Sequence, residues 1–222
     1  MKAVVLLSGG LDSTVTLAKA MKENTKVTAL SFMYGQRHTK ELESASNVCK
    51  HYKIDHVIMN MDLSMFRSAL TRADIKVPEN NKNIGNGIPE TYVPARNIIM
   101  LSIAAGLCES LGAGRIYIGV NSVDYSGYPD CRPGFIEQFN KTLKVGTKAG
   151  VEGNPVTIET PIIDLSKKDI VLLGKELKAP LEMTWSCYNG REKACGKCDS
   201  CVLRLNGFRE AGYKDGVDYE DV

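Results

Sequence analysis

Short apolar runs alternate along this chain with stretches of helical spacing, and that alternation limits the possible folds more than any other feature. AVVLLS (3–8), KVTALSFMY (26–34), HVIMNM (56–61) and RIYIGV (115–120) read as strands. Between them, DSTVTLAKAMKE (12–23), HTKELESASNVCKHY (38–52) and NIIMLSIAAGLCESLG (97–112) carry apolar residues at helical intervals. Leu42, Ala45, Cys49 and Tyr52, for example, fall on one face. Strands that are apolar on both sides must be covered on both sides. The pattern therefore predicts an α/β fold, a parallel sheet with helices on either face.

The chain has 222 residues, ample for one core. We expect an α/β unit over residues 1–180 and a C-terminal segment, 181–222, packed on it. The formal net charge of +2 gives no case for a sequence-independent grip on nucleic acid. No apolar run approaches the ~20 residues of a membrane-spanning helix. The first apolar run ends at Ser8-Gly9-Gly10, too soon for a secretory signal. A cytoplasmic setting follows as the expectation. Seven cysteines then point to metal or chemistry rather than disulfides.

The first strand passes through SGGLDST (8–14) into a helix, a phosphate-binding arrangement. Gly9 and Gly10 allow a tight turn and close approach of a ligand. The hydroxyls of Ser8, Ser13 and Thr14, with Leu11 and its neighbours at the helix start, offer donors to an anion. The lysine of a Walker-type loop is missing, so the loop suits a leaving pyrophosphate rather than a transferred γ-phosphate. Asp12 would repel that anion unless it caps the helix or shares a magnesium ion with the phosphates.

Two further stretches interrupt the alternation. Residues 71–94 are rich in Asn, Gly and Pro, and NSVDYSGYPDCRPG (121–134) follows a strand directly. Ligands in such folds sit beyond the carboxyl ends of the strands, which makes both stretches candidate cavity walls. Asp124, Asp130 and Arg132 are candidates for a base edge and a carboxylate. Arg96, at a helix start, could clamp a phosphate or carboxylate. Gln36, Arg37 and His38 could face a nucleotide. Ser166 with Asp169 reads as a capping box, and the acidic tail as a solvated end.

Cys187, Cys195, Cys198 and Cys201 are spaced Cys-x7-Cys-x2-Cys-x2-Cys. Four thiolates in so tight a knuckle suit one tetrahedral, structural zinc ion. A redox pair such as Cys195 with Cys198 would leave the other two without a role. Cys49 and Cys108 fall on apolar helix faces and read as core. Cys131 lies in the suspected cavity loop, beside substrate or in the packing.

Taken together, SGGLDST, SFMYGQRHTKELESA (31–45), YVPARN (92–97), GVNSVDYSGYPDCRPGF (119–135) and the cysteine cluster resemble the 7-cyano-7-deazaguanine synthase family over essentially the whole chain. That family lies within the N-type ATP pyrophosphatases. The resemblance implies an adenine-nucleotide α-hydrolase-like fold and a homodimer. It implies one zinc per chain on the four cysteines, and ATP, with Mg2+, as substrate. It also implies conversion of 7-carboxy-7-deazaguanine and ammonia to the nitrile through an amide. Two rivals stand beside it. One is another enzyme of the superfamily, a tRNA thiolase or an amide-forming ligase. The other is a nucleic-acid-binding zinc knuckle, for which NGREKACGKC (189–198) supplies few basic and aromatic residues.

Overall fold

The computed structural model of the protein describes residues 1–81, 87–123 and 127–220. Five parallel strands, β1 (Lys2–Leu6), β2 (Lys26–Met33), β3 (Asp55–Asn60), β4 (Arg115–Ile118) and β5 (Thr157–Glu159), lie in the order β3-β2-β1-β4-β5. Val4 of β1 is in register with Thr28 on one side and Ile116 on the other. The chain builds outward from β1 to β3 and then returns to place β4 on the far side of β1. At that reversal the loops leaving β1 and β4 part, and a crevice opens at the carboxyl ends of the strands.

Both faces of the sheet are covered, as the doubly apolar strands require. Helices α1 (Leu11–Glu23) and α2 (Lys40–Tyr52) cover one face; Ala3, Val5 and Leu7 pack there with Leu17, Ala45 and Val48. Helices α3 (Arg96–Leu111) and α4 (Pro133–Gly146) cover the other; Val4 and Leu6 pack there with Leu101, Ala104 and Ile136. Successive residues of one strand thus serve opposite cores, and each fully buried aliphatic side chain contributes roughly 1.5–3 kcal/mol. A short helix, α5 (Lys148–Val151), leads to β5.

A third core ties α1 to α6 (Lys167–Glu176) and α7 (Asp199–Glu210) through Val15, Ile170, Leu181 and Phe208. Gly174 makes this contact possible, because a Cβ there would fall 2.9 Å from both Leu181 Cδ2 and Val15 Cγ2.

Three features differ from the sequence expectation. Strand β3 is an edge with Val57, Ile58 and Met59 exposed rather than covered on both faces, because no strand among the described residues pairs beyond it. Strand β5 and helix α4 add elements that the periodicity did not single out; β5 has only three residues. The acidic tail is not a solvated end. Its backbone pairs with the cysteine segment through Ala194 N–H to Asp218 O and Glu220 N–H to Ala194 O, both 2.9 Å. The Asp215 side chain is 4% exposed and paired with Arg204.

Candidate active site

The loop between β1 and α1 closes on itself through its own hydroxyls. Ser8 and Ser13 lie 3.0 Å apart at their Oγ atoms, the Ser8 N–H donates to Ser13 Oγ (3.2 Å), and Ser13 Oγ–H reaches Gly10 O (3.1 Å). Gly10 is the N-cap of α1 in extended conformation, with no side chain capping the helix. The first-turn N–H groups therefore face the crevice, where the helix dipole favours an anion. Gly9 serves a different purpose. It has φ +87°, and a Cβ would lie 2.1 Å from Glu41 O, so it allows α2 to pack against the loop. Gly119, just past β4, plays the matching part across the crevice; a Cβ there would come within 3.0 Å of the Asp12–Ser13 backbone.

Asp12 neither caps the helix nor stands alone. Lys167 Nζ donates to both of its carboxylate oxygens at 2.8 Å, and Lys167 is only 7% exposed. The lysine missing from the loop is thus supplied from the first turn of α6. A cation there opposes the helix dipole, and a Ser166–Asp169 capping box starts the helix regardless: Asp169 N–H donates to Ser166 Oγ at 3.2 Å. The lysine stem passes under α7 at Gly207, where a Cβ would fall 2.4 Å from Lys167 Cγ. A cation beside an anion-binding helix start is suited to hold a departing polyphosphate.

These groups line one end of a cavity of about 250 Å3 that runs toward Tyr34, Arg96, Tyr128 and Tyr188. Arg96 opens α3 and donates to the Tyr34 hydroxyl at 3.3 Å. Its position is set by Asp130, whose Oδ2 accepts from Asn97 N–H (3.1 Å). Glu41 of α2 also lines the cavity. Burial pushes its carboxyl up to about 7, and the charge of Arg96 pulls the other way. The loop stretches 71–94 and 121–134 meet here: Thr91 and Tyr128 share a hydroxyl bond of 2.6 Å, and a Cβ on Gly127 would strike Gly87 O at 2.1 Å.

Of the loop residues singled out from the sequence, Ser8, Gly10, Leu11, Asp12 and Ser13 line the cavity, whereas Gly9 and Thr14 do not. Thr14 is fully buried, its hydroxyl without a partner among the described residues. Arg96 lines the cavity; Asp130 and Arg132 do not. Asp130 is taken up by the α3 start, and Arg132 is an exposed N-cap of α4. Asp124 lies outside the described residues. Arg37 and Gln36 reach the lining, yet their side chains are engaged locally. Arg37 donates to the carbonyls of Arg72, Ala73 and Ile75, and Gln36 closes on Tyr34 and Phe32. His38 also lines the cavity and packs under Gly190, where a Cβ would sit 2.2 Å from its ring. Cys131 lines the cavity, but burial, then Asp130, push its thiol up to about 12. It is a protonated packing group at neutral pH. Lys167, Gly119, Glu41 and Tyr34 are among the lining residues that sequence reasoning missed.

The four cysteines form one buried cluster, with ligand atoms within 4.8 Å of one another, able to hold a metal ion. Backbone N–H groups already point at the sulfurs: Cys195 and Asn189 to Cys187 Sγ at 3.3 and 3.4 Å, and Cys198 to Cys195 Sγ at 3.4 Å. The thiols of Cys198 and Cys201 favour Cys187 as a thiolate, holding it far below the ordinary thiol range. The cluster is tied to the phosphate loop through Trp185 N–H to Gly9 O (2.9 Å), and to residues 79–81 through Asn80 N–H to Lys197 O (2.8 Å).

Comparison with known proteins agrees with this architecture. NMN synthetase from Francisella tularensis superposes with a TM-score of 0.51 at 16% identity, covering 96% of this chain and 77% of that one; at that identity the likeness is one of fold. A protein of Acetivibrio thermocellus named 7-cyano-7-deazaguanine synthase is 57% identical over 219 residues, 98% of this chain and 97% of its own. One of the same name in Picrophilus torridus is 54% identical over 221 residues, 99% of this chain and 92% of its own. The family model described as queuosine biosynthesis protein QueC matches residues 2–212, and the chain belongs to that family.

Proposed function

We infer that the protein converts 7-carboxy-7-deazaguanine and ammonia to 7-cyano-7-deazaguanine at the expense of ATP. The observation that carries this reading is the phosphate end of the cavity: neutral loop donors, an open helix start and Lys167 converge there. A carboxylate is a poor electrophile until one oxygen becomes a leaving group. Its attack on the α-phosphorus of ATP forms an acyl–oxygen–phosphorus bond and releases pyrophosphate onto the loop and Lys167. Ammonia adds to the acyl carbon, AMP leaves with the oxygen, and the amide results. The amide oxygen then attacks a second ATP, again releasing pyrophosphate. Loss of the remaining N–H protons and of AMP gives the nitrile. Both oxygens of the acid leave as part of AMP, so one site serves both steps. The chain's task is positioning and charge stabilisation, and Arg96 is suited to hold the reacting carboxylate or α-phosphate.

The four-cysteine cluster fits zinc. Tetrahedral Zn–S bonds of about 2.3 Å put sulfurs roughly 3.8 Å apart, within the spread of this cluster. Such an ion would cross-link the C-terminal segment and take no part in the reaction, since its four positions are filled. Magnesium enters with the phosphates of ATP. Residues 1–180 serve as the nucleotide-binding unit and 181–222 as the zinc-binding segment, in a cytoplasmic homodimer acting on small molecules and not on nucleic acid or membrane. The protonated state of Cys131 weighs against the thiolase alternative, which needs a sulfur carrier beside the cavity.

The deciding experiment supplies the synthetic amide with ATP and no ammonia. Nitrile should appear as nucleotide is consumed. An inert amide, with another acid or a tRNA driving ATP consumption, would overturn the reading.

A further inference from the structure

Of the residues expected from the sequence to read the base edge and carboxylate, Asp130 and Arg132 do not line the cavity, and Asp124 lies outside the described residues. Among the described residues that line it, only Asp12 and Glu41 carry carboxylates. Both oxygens of Asp12 are held by Lys167, so Asp12 has little capacity for a ligand. Glu41 differs. No described residue hydrogen-bonds its carboxylate, and Arg96 lies within charge range of it. Its backbone is fixed in the first turn of α2 against Gly9, too closely for any side chain to intervene. The carboxyl group is thus carried on a rigid element, beside the phosphate loop, on a residue that lines the cavity.

A half-buried carboxylate that no described residue hydrogen-bonds is costly unless a ligand supplies donors. Two parallel oxygens match two adjacent N–H groups. A 7-deazaguanine base presents that pair, the ring N1–H beside the exocyclic 2-amino group. Adenine presents an amino donor beside a ring-nitrogen lone pair, which a carboxylate repels. We propose that Glu41 accepts from the N1–H and 2-amino donors of the 7-deazaguanine substrate and determines specificity for it. This rests on the function proposed above.

The test compares steady-state kinetics of wild type and Glu41→Gln on the acid substrate and on its analogue lacking the 2-amino group. Wild type should prefer the amino-bearing acid by at least about 100-fold in kcat/KM, because the analogue leaves a buried acceptor unpaired. In Glu41→Gln the KM for the acid should rise at least about tenfold and the preference should fall below about tenfold, with KM for ATP unchanged. Unchanged discrimination overturns the proposal. So does a loss confined to kcat, which would mean proton transfer, or a raised KM for ATP, which would mean a contact to adenine. Should the variant fail to fold, inhibition of wild type by the nitrile product and its N1-methyl derivative decides the matter; equal inhibition overturns the proposal. If wild type makes no nitrile at all, the functional reading fails. If it makes nitrile and Glu41→Gln matches it, Glu41 alone fails.

Discussion

The loop after β1 and the cysteine knuckle are both short and glycine-bearing, with donors aimed at a small ligand, yet they are held by different means. The loop closes within residues 8–13, through bonds between its own serines and glycine. The knuckle depends on distant chain: residues 79–80 on one side, the tail at 218–220 on the other, and the buried Arg204–Asp215 pair beneath α7. Local closure costs little chain entropy, whereas distant closure must be stabilised by strong individual links. The knuckle region should therefore fail as a unit when one link is removed, while the loop should lose its ligand and keep its shape.

The strongest challenge to that contrast is Cys198→Ser. A structural zinc site is worth roughly 10–16 kcal/mol, as much as the entire stability of a typical domain at about 5–15 kcal/mol. We expect insoluble protein or a C-terminal segment open to protease. Well-folded wild-type protein holding less than half an equivalent of zinc would remove the basis of the contrast.

Next in size is Arg204→Met. Arg204 makes two bonds to Asp215 (2.7 and 2.9 Å) and further bonds to Thr184, Ser186 and the Leu181 carbonyl. Removing one member of a buried pair costs about 3–5 kcal/mol, readable in urea unfolding. The same pair sets a pH dependence. Burial alone would raise the Asp215 carboxyl, but Arg204, helped by Tyr219 and Val217, holds it below the ordinary carboxylate range. A lowered folded pKa stabilises the fold above the unfolded carboxylate range. That contribution is lost as pH falls through the lowered value. Asp215→Asn should flatten the acid limb of the stability profile, and an unchanged limb would assign acid unfolding elsewhere.

Lys167→Met tests the loop side. Loss of one preorganised charge-stabilising donor costs about 10²–10³ in kcat; zinc content should be retained. A drop in zinc with the drop in rate would show the two regions to be one unit. Gly10→Val is the companion variant. A Cβ at Gly10 meets nothing nearer than Ser8 Oγ at 3.4 Å, so the fold should hold while ATP binding is lost. Unchanged ATP affinity by calorimetry would remove the loop from the phosphate site.

The smallest expected effect is Tyr219→Phe, which deletes one hydrogen bond of 2.7 Å to Asp215, about 0.5–1.5 kcal/mol. No measurable change in the urea midpoint would mean the tail rests on its backbone pairing alone.

What the sequence made legible follows the same division. The loop and the cysteines could be read because their chemistry is written in consecutive residues. Lys167 could not, since its partner Asp12 lies 155 positions away. The Ser166–Asp169 box around it was visible, and a lysine placed against the helix dipole was the signal that could have marked it. Asp130 and Arg132 looked like ligand-facing groups because they follow a strand; one holds the α3 start and the other lies outside the cavity lining. Nothing local told a cap from a contact. The tail read as solvated because its acidic character was weighed without Arg204, whose partnership only tertiary packing reveals.

Helix α7 closes over the Lys167 stem at Gly207, and this gives the site an order of assembly. During synthesis the phosphate loop emerges first and can turn as soon as β1 and α1 exist. The lysine emerges much later, and the helix that seats it later still. A partly made chain therefore exposes a nucleotide loop bearing an uncompensated Asp12, which disfavours polyphosphate. On this geometry the compensated loop is complete only once α7 has docked over the Lys167 stem.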